Sequence, residues 1–278
     1  MILPAEIIDH ILSFLQNNSG ALKACSKSHP LLFQIAERHL YARISLWTND
    51  DDSWDWTFKT SDFIKLLSHS PRVVHYIHNL EILVIGYQPD VMRRLQEISA
   101  ILPMLLALKT IFLEHYYEYR WNALPESFHL AFLDCLRLPS MVEVWISRVP
   151  DFPFVVVLTG GCKTITSLTL RDCLWSCPDQ KRYDRLYPNQ TSPFQALCLH
   201  GCNGMFFDKF IPWVKKRRLQ FRSLKLSRLS DSGYIELITT SSNSLTNLDL
   251  EIRNCVSGSV VFAMLYTHLT QGVTTQLT

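Results

Sequence analysis

One short apolar pattern returns along most of this 278-residue chain, and few folds can accommodate it. It reads apolar, two residues of any type, apolar, one of any type, apolar. The copies are Leu80-x-x-Leu83-x-Ile85, Leu108-x-x-Ile111-x-Leu113, Met141-x-x-Val144-x-Ile146, Ile165-x-x-Leu168-x-Leu170, Phe194-x-x-Leu197-x-Leu199, Phe221-x-x-Leu224-x-Leu226 and Leu245-x-x-Leu248-x-Leu250. Their starts lie 24 to 33 residues apart, a spacing typical of stacked repeats. Within each copy the alternation is that of a strand, with the fourth and sixth positions on one side and the intervening residues on the other. One such unit cannot bury its apolar face alone, whereas neighbours stacked side by side can. The uneven intervals predict an irregular array. Apolar segments between the copies predict covering helices at 90–102, 127–138, 206–214, 234–238 and 257–269, with Ser230-Asp231-Ser232-Gly233 as a cap for the fourth. Phe152–Leu158 is too short and too β-branched for a helix, and 176–192, rich in Pro, Asp, Arg, Gln and Asn, reads as an insertion loop.

The first forty-odd residues follow a different rule. Pro4 suits a helix start, where a missing amide costs nothing, and Glu6 complements the positive end of the helix dipole. Ile7, Ile8, Ile11, Leu12 and Leu15 then cover more of the helix surface than one neighbouring helix needs to bury, so part of that surface is expected to serve a partner. Asn17-Asn18-Ser19-Gly20 predicts a capped turn, followed by a short helix with Ala21, Leu22, Ala24 and Cys25. A third helix is expected from Pro30 to Tyr41. A unit this small is marginal alone and should lean on something else. Between it and the repeats, 48–60 carries Asp50, Asp51, Asp52 and Asp55 among Trp54 and Trp56, and reads as an acidic linker. The expected organisation is a helical module at 1–47, the linker at 48–60 and the repeat domain at 61–278.

Charge and composition narrow the function classes. A net charge of +2 gives no bulk attraction to nucleic acid or membrane, and no run of eighteen apolar residues predicts a membrane span. The apolar N-terminus lacks a basic leader and is interrupted by Glu6, Asp9 and His10, so it reads as a mature helix and not as an export signal. Eight scattered cysteines are then expected as free thiols in the cytosol or nucleus. Cys173-x-x-x-Cys177 and Cys198-x-x-x-Cys202 invite a zinc reading, but the repeat sends Cys198 to the side opposite Leu197 and Leu199, while Cys173 and Cys202 fall where small interior residues belong. No metal or cofactor is therefore expected. Serine-hydrolase, zinc-protease and phosphate-loop motifs are all missing, and nine glycines leave little for phosphate cradling, so no catalysis is expected either. Lys215-Lys216-Arg217-Arg218 reads as basic residues at a helix end before it reads as a nuclear address.

Two families are resembled. Leu3-Pro4-x-Glu6-Ile7-Ile8-x-x-Ile11-Leu12-x-x-Leu15, then Leu22-x-Ala24-Cys25-Ser26, then Ala36-x-x-His39-Leu40-Tyr41 resembles the F-box, with Lys27, Ser28, His29, Pro30 and Leu32 standing where that family's usual continuation differs. From Leu80 onward the pattern resembles leucine-rich repeats. The resemblance implies an α/β repeat fold, in which a three-helix F-box-like module is followed by an irregular leucine-rich-repeat solenoid with a parallel curved sheet. It implies a substrate-recognition subunit of an SCF-type ubiquitin ligase, with a Skp-type adaptor and a cullin scaffold as partners. Leu3, Pro4, Ile7, Ile8, Ile11, Leu12, Leu15, Leu22 and Cys25 are the expected adaptor contacts. On the strands, Val84, Phe112, Trp145, Thr169, Cys198, Lys225 and Asp249 should form one open row, and Gly86, Glu114, Ser147, Arg171, His200, Ser227 and Glu251 the next. Phe112, Trp145, Arg171, His200 and Lys225 are the expected substrate contacts, because aromatic and charged groups dominate protein interfaces. The alternative reading is a leucine-rich-repeat scaffold without a ubiquitin role.

Overall fold

Six strand entries among the described residues are anchored by the same pair of hydrogen bonds. The amides of His78 and Asn79 both donate to Ala42 O, at 3.0 and 2.9 Å, and those of Lys109 and Thr110 both donate to His78 O, at 2.7 and 3.0 Å. The same fork recurs from Thr166 and Ser167 to Val142 O, Gln195 and Ala196 to Thr166 O, Arg222 and Ser223 to Gln195 O, and Thr246 and Asn247 to Arg222 O. The computed structural model describes residues 3–48, 58–86, 88–116, 119–154, 157, 164–174, 195–202, 204–228, 233–251 and 274–277. The chain divides into two compact units, Met1–Phe112 with Pro125–Cys135, and Leu113–Leu124 with Leu136–Thr278. It is an α/β protein with a parallel sheet.

In the first unit, α1 (Ala5–Ser13), α2 (Ser19–Ser28) and α3 (Pro30–Tyr41) close around Leu12, Leu22, Ile35 and Ala36. Asn18 Oδ1 caps α2 by accepting from Ala21 N at 2.9 Å, and Pro30 opens α3 as expected. Asp9 ties α1 to α3 through His39, at 3.0 Å, and Arg38, at 3.6 Å. Strand β1 (Arg43–Trp47) follows at once and pairs in parallel with β2 (Phe58–Lys59) and β3 (Asn79–Val84). Next come α4 (Thr60–His69), α5 (Gln88–Ile101), the first half of β4 (Thr110–His115) and α6 (Glu126–Cys135). The region expected to be linker is partly built into this unit. Thr48 is buried and its hydroxyl bridges Ile85 N and O at 2.8 and 2.6 Å, and Thr60 Oγ1 donates to Trp47 O at 3.1 Å. The acidic stretch 49–57 lies outside the described residues.

The second unit takes β4 from Leu113 and continues through β5 (Glu143–Ser147), β6 (Ser167–Arg171), β7 (Ala196–His200), β8 (Ser223–Ser227), β9 (Asn247–Glu251) and β10 (Thr274–Leu277), in that order across the sheet. From β5 to β9 the register is continuous. Val144, Leu168, Leu197, Leu224 and Leu248 are partners in turn, as are Ile146, Leu170, Leu199, Leu226 and Leu250. All ten are buried. Helices α7 (Gly204–Arg217) and α8 (Gly233–Ser241) supply Phe206, Phe207, Phe210, Trp213, Val214, Leu237 and Ile238 to the same interior. Gly233 lies so close to Phe207 that a Cβ there would meet its side chain at 2.4 Å. The expected helix at 257–269, the loop at 176–192 and the capping residues 230–232 lie outside the described residues.

The strand exits are as regular as the entries. Arg148, Asp172, Gly201 and Arg228 take positive φ values of 54°, 49°, 64° and 54°, each one residue past its strand. Each amide then donates to the last carbonyl of the next strand, at Arg171, His200, Ser227 and Glu251. Only one of the four is glycine, although the conformation favours it.

One expected copy is displaced. Aligning the entry forks puts Leu80 and Ile82 level with Ile111 and Leu113, so the first copy is Ile77-x-x-Leu80-x-Ile82 and not Leu80-x-x-Leu83-x-Ile85. Both frames fit the apolar pattern, and the hydrogen-bonded entry decides between them. Val84 is consequently buried in the core, Glu81 takes the open position expected for Val84, and Leu83, at the position expected for Gly86, is buried as well. The same alignment reveals an earlier copy, Tyr41-x-x-Ile44-x-Leu46, whose Ile44 and Leu46 pair with Leu80 and Ile82.

His115, at the end of β4, gives the fold a testable pH dependence. It is fully buried, with Nδ1 2.9 Å from Tyr119 O and no partner at Nε2. Burial lowers its pKa to about 4, outweighing the hydrogen bond to Tyr119. The folded state therefore holds the neutral ring, and the unfolded chain takes up a proton below about pH 6.5. Stability from this group is complete above that pH and is lost as pH falls toward 4. Denaturant unfolding should show wild type losing about 2 kcal/mol more than His115→Leu between about pH 7 and pH 5. Equal losses in the two proteins would show that the ring is not held neutral.

Candidate functional site

Two surfaces stand out, one in each unit. On α1, Ile8, Leu12 and Leu15 turn toward α2 and α3, while a second apolar stripe points away. That stripe is Leu3, Ile7, Ile11 and Phe14, with accessibilities of 46, 46, 49 and 75 %. Steps of four and three residues place Ile7, Ile11 and Phe14 on one helix face, and Leu3 lies just before the helix, ahead of its extended N-cap Pro4. His10 meets Phe14 edge-on at 5.0 Å, which fixes the ring at the end of the stripe. Of the residues read from the sequence as adaptor contacts, Leu3, Pro4, Ile7 and Ile11 are exposed, and Ile8, Leu15 and Cys25 are half-buried against the module's core. Leu12 and Leu22 are interior, contrary to their expected role. Three short helices have too few apolar residues to close without them. Phe14, which the pattern reading did not select, is the most exposed member of the stripe.

In the second unit, the open positions between the core leucines form the row Trp145, Thr169, Cys198, Lys225 and Asp249, each a register partner of the next. Trp145 is 40 % accessible, and Lys225 is exposed with its ammonium 2.7 Å from Asp249. The hydrogen bond to Asp249, and then its charge, raise the Lys225 pKa, so its ammonium keeps its charge at neutral pH. Trp145 and Lys225 lie three strands apart, about 14 Å at ordinary strand spacing. Arg171 and His200 are adjacent register partners. Phe112 is half-buried and belongs to the first unit, where β4 begins.

The row at the strand ends is a polar network. Glu114 is buried, accepts from Ser147 Oγ at 3.0 Å and pairs with Arg148 at 3.4 Å. Asp172 lies between two arginines, with Arg171 Nε at 3.7 Å and Arg148 Nε at 3.8 Å. Arg148 also covers the Tyr116 ring at 5.2 Å. Arg148 and Asp172 were not legible as site residues, because nothing in their identity announces the left-handed exit that aims them onto this face. Gly201, which shares that exit, was the only local signal.

His200 Nδ1 lies 2.6 Å from Ser227 Oγ, an approach that resembles a nucleophile and its base. Its surroundings do not suit acyl chemistry. Ser227 is buried, and the nearest amides are already used, Gly201 N donating to Ser227 O at 3.0 Å and Arg228 N to Glu251 O at 3.2 Å. Neither amide is left to serve an oxyanion. Burial first, and the charges of Arg171 and Arg228 next, lower the His200 pKa, so the ring is neutral at physiological pH. The pair holds the imidazole in place.

The cysteines follow the repeat. Cys173 and Cys202 are buried one residue beyond the strand exits, with the Cys173 thiol 3.4 Å from Ile146 O and 3.3 Å from Arg171 O. Burial pushes the Cys202 and Cys135 thiols up to about 12 and raises Cys173 well above its ordinary value. No cluster of three or more His, Cys, Asp or Glu arranged to hold a metal occurs among the described residues. Native-state alkylation mapped by mass spectrometry should modify the half-buried Cys25 while sparing Cys135, Cys173 and Cys202 until the protein unfolds. Modification of Cys173 at the rate of Cys25 in folded protein would contradict this placement.

No protein-family model matches the chain, and no curated protein matches it.

Proposed function

We propose that this chain is a substrate-recognition subunit of an SCF-type ubiquitin ligase, in which α1 to α3 form an F-box that docks a Skp-type adaptor and the strands form a leucine-rich-repeat solenoid that holds a protein substrate. The observation that carries the reading is the second apolar stripe of α1, Ile7, Ile11 and Phe14, with Leu3 exposed just ahead of the helix. A helix that already buries one face in its own module gains nothing from a second such face in water. Buried in a partner, each large side chain contributes about 1.5 to 3 kcal/mol before the cost of association, so four are enough for a stable contact. The residues of this stripe fall in and beside the Leu-Pro segment that resembles the F-box.

The repeat half of the reading is supported by the coincidence of the six pattern copies from Leu108 onward with strands of one sheet and by the entry fork shared by β3, β4, β6, β7, β8 and β9. Its open strand face alternates an aromatic anchor at Trp145 with the charged groups of Arg171, His200 and Lys225, a mixture suited to a protein partner. The chain would perform no bond chemistry itself. It would raise the effective concentration of a substrate lysine near a ubiquitin-charged enzyme brought by the cullin scaffold, in the cytoplasm or nucleus.

The test separates surface from core. Ile7→Asp with Ile11→Asp should abolish co-purification of a Skp-type adaptor with little change in melting temperature. Leu12→Ala should instead destabilise the module by about 2 to 5 kcal/mol, as truncation of a core leucine does. Full adaptor binding by the folded double aspartate variant would overturn the proposal.

A further inference from the structure

We infer that the first unit carries a cleft for a small amphipathic anion, an aromatic or aliphatic body bearing one phosphate, carboxylate or sulfonate group. This inference does not depend on the adaptor reading. A cavity of about 650 Å³ is bounded by α2 and α3 on one side and by residues of β1, β2 and β3 on the other. That volume is within the usual range of small-molecule sites, roughly 300 to 1,000 Å³. One wall is apolar, with Leu22, Phe33, Leu40, Tyr41 and Phe58 lining it. The Tyr41 and Phe58 rings lie 6.4 Å apart, tilted at 43°, and present neighbouring surfaces to the space.

Charge selects the ligand class. The acidic groups in the lining are already matched within the protein. Glu37 pairs with Arg72 at 3.0 Å, while Glu81 accepts from Ser45 and lies 3.8 Å from Arg43. Lys23 and Lys27 also line the cavity, and neither makes an ion pair or side-chain hydrogen bond among the described residues. They lie one turn apart on α2, about 6 Å along the axis, so both ammonium groups can reach a single anionic group. Ser19, on the same helix and in the same lining, adds a hydroxyl, while the Ser26 hydroxyl already donates to Lys23 O at 2.8 Å and can only accept. Burial, and then the charge of Glu37, raise the Tyr41 pKa, so its hydroxyl keeps its proton and remains a donor beside the aromatic wall. Two unmatched cations over an apolar wall fit a ligand with one charged end.

The probe is 8-anilinonaphthalene-1-sulfonate, an aromatic anion, titrated into the intact chain and followed by fluorescence. N-phenyl-1-naphthylamine serves as the uncharged comparison. The wild type should bind the sulfonate saturably with one site, more weakly as salt is raised, and Lys23→Glu with Lys27→Glu should weaken it by at least about tenfold. The uncharged probe should lose much less. Both lysines are exposed, so the variant should melt as the wild type does. Because the α1 stripe is also apolar, Ile7→Asp with Ile11→Asp should leave the sulfonate affinity unchanged. Equal affinity in the lysine variant, absence of saturable binding to the wild type, or loss in the α1 variant would each overturn the inference.

Discussion

The structure depends on the forked hydrogen bond at the entries of β3, β4, β6, β7, β8 and β9, where two consecutive amides share the carbonyl just before a neighbouring strand. A buried amide without a partner is costly, so a strand that enters elsewhere forfeits two such bonds at once. A shift of one residue would also exchange the two faces of the strand, placing leucines in water and Lys225 or Asp249 in the core. The fork therefore fixes register and facing together. The left-handed exits at Arg148, Asp172, Gly201 and Arg228 repeat the device at the other end, bonding each exit amide to the next strand.

With register fixed, the open face needs no further stabilising role, and its composition can vary strand by strand. The core rows are almost uniformly Leu, Ile and Val, whereas the row between them runs from Trp145 through Thr169 and Cys198 to Lys225 and Asp249. One face is thus uniform and the other diverse. The helical module divides its labour in the same way. On α1, the face bearing Leu12 closes a small core and the face bearing Ile7 and Ile11 remains in water.

Most of this was legible in the sequence, for physical reasons that also explain the misses. Strand positions followed from the spacing of apolar residues, because parallel strands buried on one face require period-two alternation. Cys173 and Cys202 were correctly read as interior from their distance to the repeat. The first copy was not, since Leu80-x-x-Leu83-x-Ile85 and Ile77-x-x-Leu80-x-Ile82 satisfy one apolar pattern and differ only in where the amides of His78 and Asn79 find their acceptor. The copy at Tyr41 was hidden because its first residue ends α3. On α1 the surplus of apolar surface was legible, but its division was not. Whether Leu12 or Ile11 faces inward depends on where α2 and α3 lie, which spacing along one helix does not contain. The Glu114, Arg148 and Asp172 network was invisible because backbone conformation, and not residue type, assembles it.

Hydrogen–deuterium exchange on the intact chain, with and without a purified Skp-type adaptor, tests the central division most directly. The account predicts slowed exchange across Ala5–Ser13 and unchanged exchange in β5 through β9. Slowed exchange in those strands, with α1 unaffected, would contradict it.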